Sequence, residues 1–179
     1  MNNIGVGAGI GAAAFVVNFV LMYVFVAIDG VDTGPIATWK YVGNVLYNAQ
    51  FVDSEASNSG RTTTSNAISD ASSSSDLTST IPSFVYHIVP IIVLVAAGYI
   101  AVQQTQSRLD TGSSAATGAT IVGGYAVLAV VGTFLFEYSV SFFGSSTSVA
   151  PDLLPAIGLA GVVFPLALGA IGGAIANEL

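Results

Sequence analysis

Few side chains in this chain could do acid–base or ligand chemistry from within apolar surroundings: Asn18, Tyr86, His87 and Glu137. A polar or ionisable group inside a long hydrophobic run is costly, so its first reading is functional. His87 is the single histidine, and imidazole is the side chain that titrates near neutral pH. A carboxylate beside it would favour the charged ring. Glu137 could supply that carboxylate, which with Tyr86 alongside and Lys40 overhead would give a vestibule responsive to protons or cations. The competing reading makes Glu137 an interfacial side chain that snorkels to water and His87 a hydrogen-bonded packing residue. Asn18 would then be an amide bonded to a neighbouring helix. The packing reading asks less of the sequence.

Other constellations are missing. With no cysteine and one histidine there is no thiolate nucleophile, no disulfide framework and no convincing zinc set. No phosphate-cradling Gly-x-x-x-x-Gly-Lys occurs. Serine is so abundant that a Ser–His–carboxylate set drawn on paper carries no information. The expectation is a chain that is not an enzyme and needs neither metal nor cofactor.

The elements that must position these residues are four apolar stretches, residues 4–28, 81–102, 118–136 (extending to 143) and 153–176, each with at most one ionisable side chain. A hydrocarbon layer about 30 Å thick needs roughly 20 helical residues to cross it. Backbone in lipid must satisfy its own hydrogen bonds, and continuous apolar runs without alternation exclude a barrel. Composition agrees: 53% of residues are hydrophobic and 7% charged, with mean hydropathy +0.79. The fold class expected is all-α, a four-helix transmembrane bundle. The first stretch is too long for a secretory signal and has no basic leader, so it is expected to remain as a span.

Between the first two stretches, residues 35–52 read as an amphipathic helix lying at the membrane interface or capping the bundle. Trp39, Val42, Leu46 and Ala49 share one face, and Trp39, Tyr41 and Tyr47 would anchor it among headgroups. Residues 53–80 hold 15 Ser or Thr among 28 and read as a flexible acidic loop. Glycines gather in the spans. Gly5, Gly7, Gly9 and Gly11 make two Gly-x-x-x-Gly pairs, and Gly169 and Gly173 make a third, the spacing that lets helix backbones approach closely. Whether those seams lie within the chain or between chains is open. Pro90 and Pro165 should kink their helices.

Ten acids against three basic residues give a net charge of −7. That balance excludes nucleic acid and anionic lipid surfaces as partners and suits a high-salt environment, where repulsion among carboxylates is screened. Arg108 in the short second connection assigns both termini to the cytoplasm and the long acidic connection to the outside.

Three segments, WKYVGNVLYNAQFVD (39–53), IPSFVYHIVPIIVLVAAGY (81–99) and PDLLPAIGLAGVVFPLALGAIGGAI (151–175), resemble a family of uncharacterised multi-pass membrane proteins of haloarchaea. The resemblance implies a four-span protein of the cell membrane and transfers no functional residue. The function expected is a structural or accessory membrane protein that packs with itself or a partner through its glycine-rich helices. The alternative is a small oligomeric transporter or channel working near His87 and Glu137.

Overall fold

The computed structural model describes residues 3–69, 77–105, 110–142 and 145–178. Four helices in it are long and apolar enough to cross a membrane. The first is α1 (Asn3–Asp29). It ends where Gly30 adopts φ 70°, so that Gly30 N–H donates to Ala27 O and Val31 N–H to Val26 O, a Schellman cap that needs a left-handed residue. A short helix, α2 (Thr38–Asn48), follows. Next come strands β1 (Ser54–Asn58) and β2 (Arg61–Ser65), then α3 (Ser83–Gln103).

The third of these long helices is broken in two, α4 (Thr111–Ala119) and α5 (Val122–Leu135). At its start the Asp110 side chain accepts from Ser113 N–H at 2.7 Å, and the Ser113 hydrogen bonds hold that carboxyl below its ordinary range. After α5 come β3 (Tyr138–Phe142) and β4 (Ser145–Pro151). The last helix is α6 (Leu153–Glu178). In the bundle α1 lies against α3 and α5, α3 against α4 and α6, and α5 against α6.

Within α6, Ala156–Val163 winds as π-helix, with Phe164 N–H donating to Leu159 O. Pro165 explains it. A proline has no N–H and its ring collides with the carbonyl four residues back, here Gly161 O, and the wider π turn accommodates both. The expected kink is therefore a change of winding.

The all-α expectation is overturned. Four strands form an antiparallel sheet in the order β2-β1-β4-β3. The Ser/Thr-rich segment read as a flexible loop supplies two of them, joined through Ser59 and Gly60 at φ 46° and 83°. That two-residue turn matches the right-handed twist of the strands it joins. Part of that loop, residues 70–76, lies outside the described residues, as do Arg108 and Phe143. The apolar continuation of the third span past residue 136 is not helix. It is β3, whose ladder pairs Tyr138 with Val149 and Phe142 with Ser145.

Candidate functional site

Helix α2 does not lie flat on the bundle; residues 42–50 are all buried and the helix runs antiparallel to α5 into the bundle. Near its start Lys40 Nζ meets Glu137 O at 2.7 Å. One turn on, Asn44 Nδ2 donates to Phe136 O at 3.0 Å, and further in the Tyr47 hydroxyl donates to Ala129 O. Last, Gln50 Oε1 accepts from the Tyr125 hydroxyl at 3.1 Å, ten residues, about 15 Å of helix, before α5 ends. Trp39 stays at the rim, 39% exposed, with Lys40 Nζ 5.4 Å from its ring centre, and Tyr41 packs against the core. Tyr47 is no interfacial anchor. It is fully buried.

A helix that ends inside a protein exposes four carbonyls with no intrahelical partner, and an unpaired buried carbonyl is expensive. The residues after α2 are those that meet this need. Val45 O accepts from Ala49 N–H, Tyr47 O from Gln50 and Val52 N–H, and Asn48 O from Phe51 N–H. Leu46 O accepts from Gln50 Nε2 at 3.2 Å. The next carbonyl, Ala49 O, lies 3.0 Å from His87 Nδ1, which donates to it as the Nδ1–H tautomer. Asn48 Nδ2 donates to Val52 O at 2.8 Å, while its Oδ1 accepts from Ala67 N–H at 3.0 Å.

The turn is the same Schellman form that ends α1, with Phe51 at φ 59° where α1 uses glycine. Left-handed backbone costs a side-chain residue about 1–2 kcal/mol. Its ring stacks on His87, centroids 4.4 Å apart and 3° from parallel, and lies 6.3 Å from Phe164.

The anticipated vestibule is not assembled. His87 serves Ala49 and Phe51, whereas the Glu137 carboxylate accepts from Ser148 Oγ at 2.6 Å on the sheet. Lys40 does reach Glu137, through its backbone carbonyl. Tyr86 turns to Asp29, donating its hydroxyl at 2.6 Å. Asp29, 6% exposed, also accepts from the N–H groups of Thr78, Thr80 and Ile81 at 2.7–2.8 Å, so it pins the approach to α3 onto the end of α1. Sequence reasoning missed Asp29. The signal was a carboxylate in the last turn of a helix, where the macrodipole disfavours negative charge. Asn18 Nδ2 contacts the Tyr125 hydroxyl at 3.4 Å, the interhelical role expected of it, and its Oδ1 has no partner among the described residues.

The glycines divide. A β-carbon at Gly7 would fall on Thr120, and one at Gly11 on the Ile121 carbonyl. Gly169 and Gly173 press on Gly118 and Ser114, and Gly172 on the Val95 carbonyl. These seams lie within one chain. Gly5 and Gly9 have nothing within 4 Å. Among the described residues no group of three His, Cys, Asp or Glu could hold a metal ion.

A family model described as a family of unknown function, DUF7978, matches residues 1–179. No curated protein and no solved structure matches the chain.

Proposed function

We propose that this chain, which belongs to the DUF7978 family, is a multi-pass protein of the cell membrane with a structural or accessory role. One observation carries the membrane reading: the helices turn large apolar side chains outward while amide side chains lie buried between them. Ile92, Val127, Val131 and Leu154 are 60%, 61%, 50% and 80% exposed, whereas Asn18, Asn48 and Gln50 are at most 1% exposed. In water such a coat would be an aggregation surface; in lipid it is the solvated face. Non-helical backbone at depth is tolerated in a membrane where its polar groups are satisfied within protein; in the Ala49–Val52 turn the N–H groups of residues 49–52 all find carbonyls, and only Phe51, 57% exposed, shows a side chain outward. Both termini are inside, the sheet is outside, and the acidic composition belongs to a high-salt cell, as in the haloarchaeal proteins it resembles.

The accessory role follows from what the interior offers. Most of its polar groups are spent on holding α2, and the transport alternative is left without the His87–Glu137 pair on which it leaned. For contact with a second copy or another membrane protein, the bundle keeps the face of α1 bearing Gly5 and Gly9.

Because the chain has no cysteine, single cysteines report its placement cleanly. Thr63→Cys on β2 should react with an impermeant maleimide in intact cells, and Ser113→Cys only after permeabilisation, with the protein retained through an alkaline carbonate wash. Release by that wash would end the membrane reading; the opposite labelling pattern would reverse the orientation.

A further inference from the structure

The cleft between the sheet and the end of α5, about 390 Å³ in volume, is lined by Glu55, Ser57, Ser148, Glu137, Phe134 and Leu153 among others. Its floor follows from strand register. Ser57 pairs with Ser148, and Glu55 with Ala150; side chains two apart share a face, so Glu55, Ser57 and Ser148 project together. Ser148 Oγ already donates to Glu137 Oε1, which leaves Glu137 Oε2 without a hydrogen-bond partner among the described residues. The Glu55 carboxylate has no hydrogen-bond or ion-pair partner among the described residues. The opposite wall is apolar, with Phe134 66% and Leu153 42% exposed.

We propose that this cleft binds a polyhydroxylated group, a sugar or glycerol moiety, with its hydroxyls on Glu55, Glu137, Ser57 and Ser148 and its C–H face on Phe134. A carboxylate accepts strongly from hydroxyl donors, paired acceptors suit vicinal diols, and an aromatic face takes the apolar side of a sugar ring. The two carboxylates repel phosphate, which excludes an anionic headgroup. The same chemistry could arrive as a glycolipid headgroup or as a free saccharide; only the first source rests on the membrane reading above.

The single tryptophan reports on the site, since Trp39 lies against Phe136 and the Lys40 that grips Glu137 O. The full chain, in nanodiscs of phosphatidylcholine, is titrated with methyl glucoside. A second titration raises the fraction of galactosyl diacylglycerol in the discs. Saturable fluorescence changes are expected, unaltered by molar salt, and roughly tenfold weaker in Glu55→Gln and in Phe134→Ala. A response to the glycolipid alone names the lipid headgroup as the source, and a response to methyl glucoside alone names the free sugar. No saturable response to either, or an undiminished one in Glu55→Gln, overturns the proposal. So does a response to spermidine that exceeds both and vanishes with salt, which would mark a cation site. A chain that never enters the discs sinks the membrane reading, yet the methyl glucoside arm still tests the cleft.

Discussion

The two halves of the bundle are held by different physics. In the half that carries the termini, α4 and α6 meet backbone to backbone at Gly118, Gly169 and Gly173, and α1 meets the α4–α5 junction at Gly7 and Gly11. In the half below the sheet, α2 enters and is fastened by Asn44, Asn48, Gln50, Tyr47 and His87. The first half is stabilised by having nothing in the way. The second is stabilised by having the right donor at each stranded carbonyl. The membrane placement proposed above would call for both, because lipid offers neither a hydrophobic drive between helices nor hydrogen bonds to backbone.

Substitutions should separate the two. The largest effect belongs to the seam: Gly118→Val drives a side chain into Gly169 and Gly173 and should cost about 3 kcal/mol, read as a shifted unfolding midpoint in mixed micelles followed by Trp39 fluorescence. Next comes the polar half, where Asn48→Leu strands Val52 O and Ala67 N–H and should cost about 2 kcal/mol. If Asn48→Leu were neutral, the claim that side chains hold α2 would fail. Gly9→Ala sharpens the contrast from the other side. With nothing within 4 Å it should stabilise by up to about 1 kcal/mol, whereas Gly11→Ala, two residues away, should destabilise.

The smallest effect concerns Asp110, a side-chain cap in the seam half. Its carboxyl lies below the ordinary value, so the cap is complete above the unfolded carboxylate's pKa of about 3.9 and is lost as pH falls through the lower folded value. With intrinsic exchange rates divided out, the protection of Ser113 should fall there, while that of Val52 stays unchanged.

The spans were legible because length and apolarity are properties of a run. The Gly7/Gly11 and Gly169/Gly173 seams were legible in spacing only. Gly5 and Gly9 have the same spacing and touch nothing, since two interleaved ladders on one helix face different directions and one sequence does not say which meets a neighbour. The period of α2 was readable, but a stripe of Trp39, Val42, Leu46 and Ala49 suits lipid and protein equally, so its descent into the bundle was not. The hairpin of β1 and β2 was hidden by composition. Ser and Thr read as disorder when counted, and the clue was the Ser59–Gly60 turn flanked by Thr and Ser on one side and Ser and Asn on the other. Tyr138–Phe142 alternates as a strand does, but it follows so directly on an apolar helix that it read as more of the same. Glu137 was singled out as an intramembrane acid; its importance lies on the sheet, with Ser148.

The π-wound stretch of α6 sets the azimuth of everything downstream. Each residue of an α-helix advances the direction of its side chain by about 100°, and a π turn holds one residue more than an α turn, so winding Ala156–Val163 as α at full length would swing Gly169 and Gly173 off their partners by about that angle while leaving composition and span length almost untouched. The winding before Pro165 is therefore the clock that tells two distant glycines where to point, and it explains how a proline can govern a helix contact it never makes.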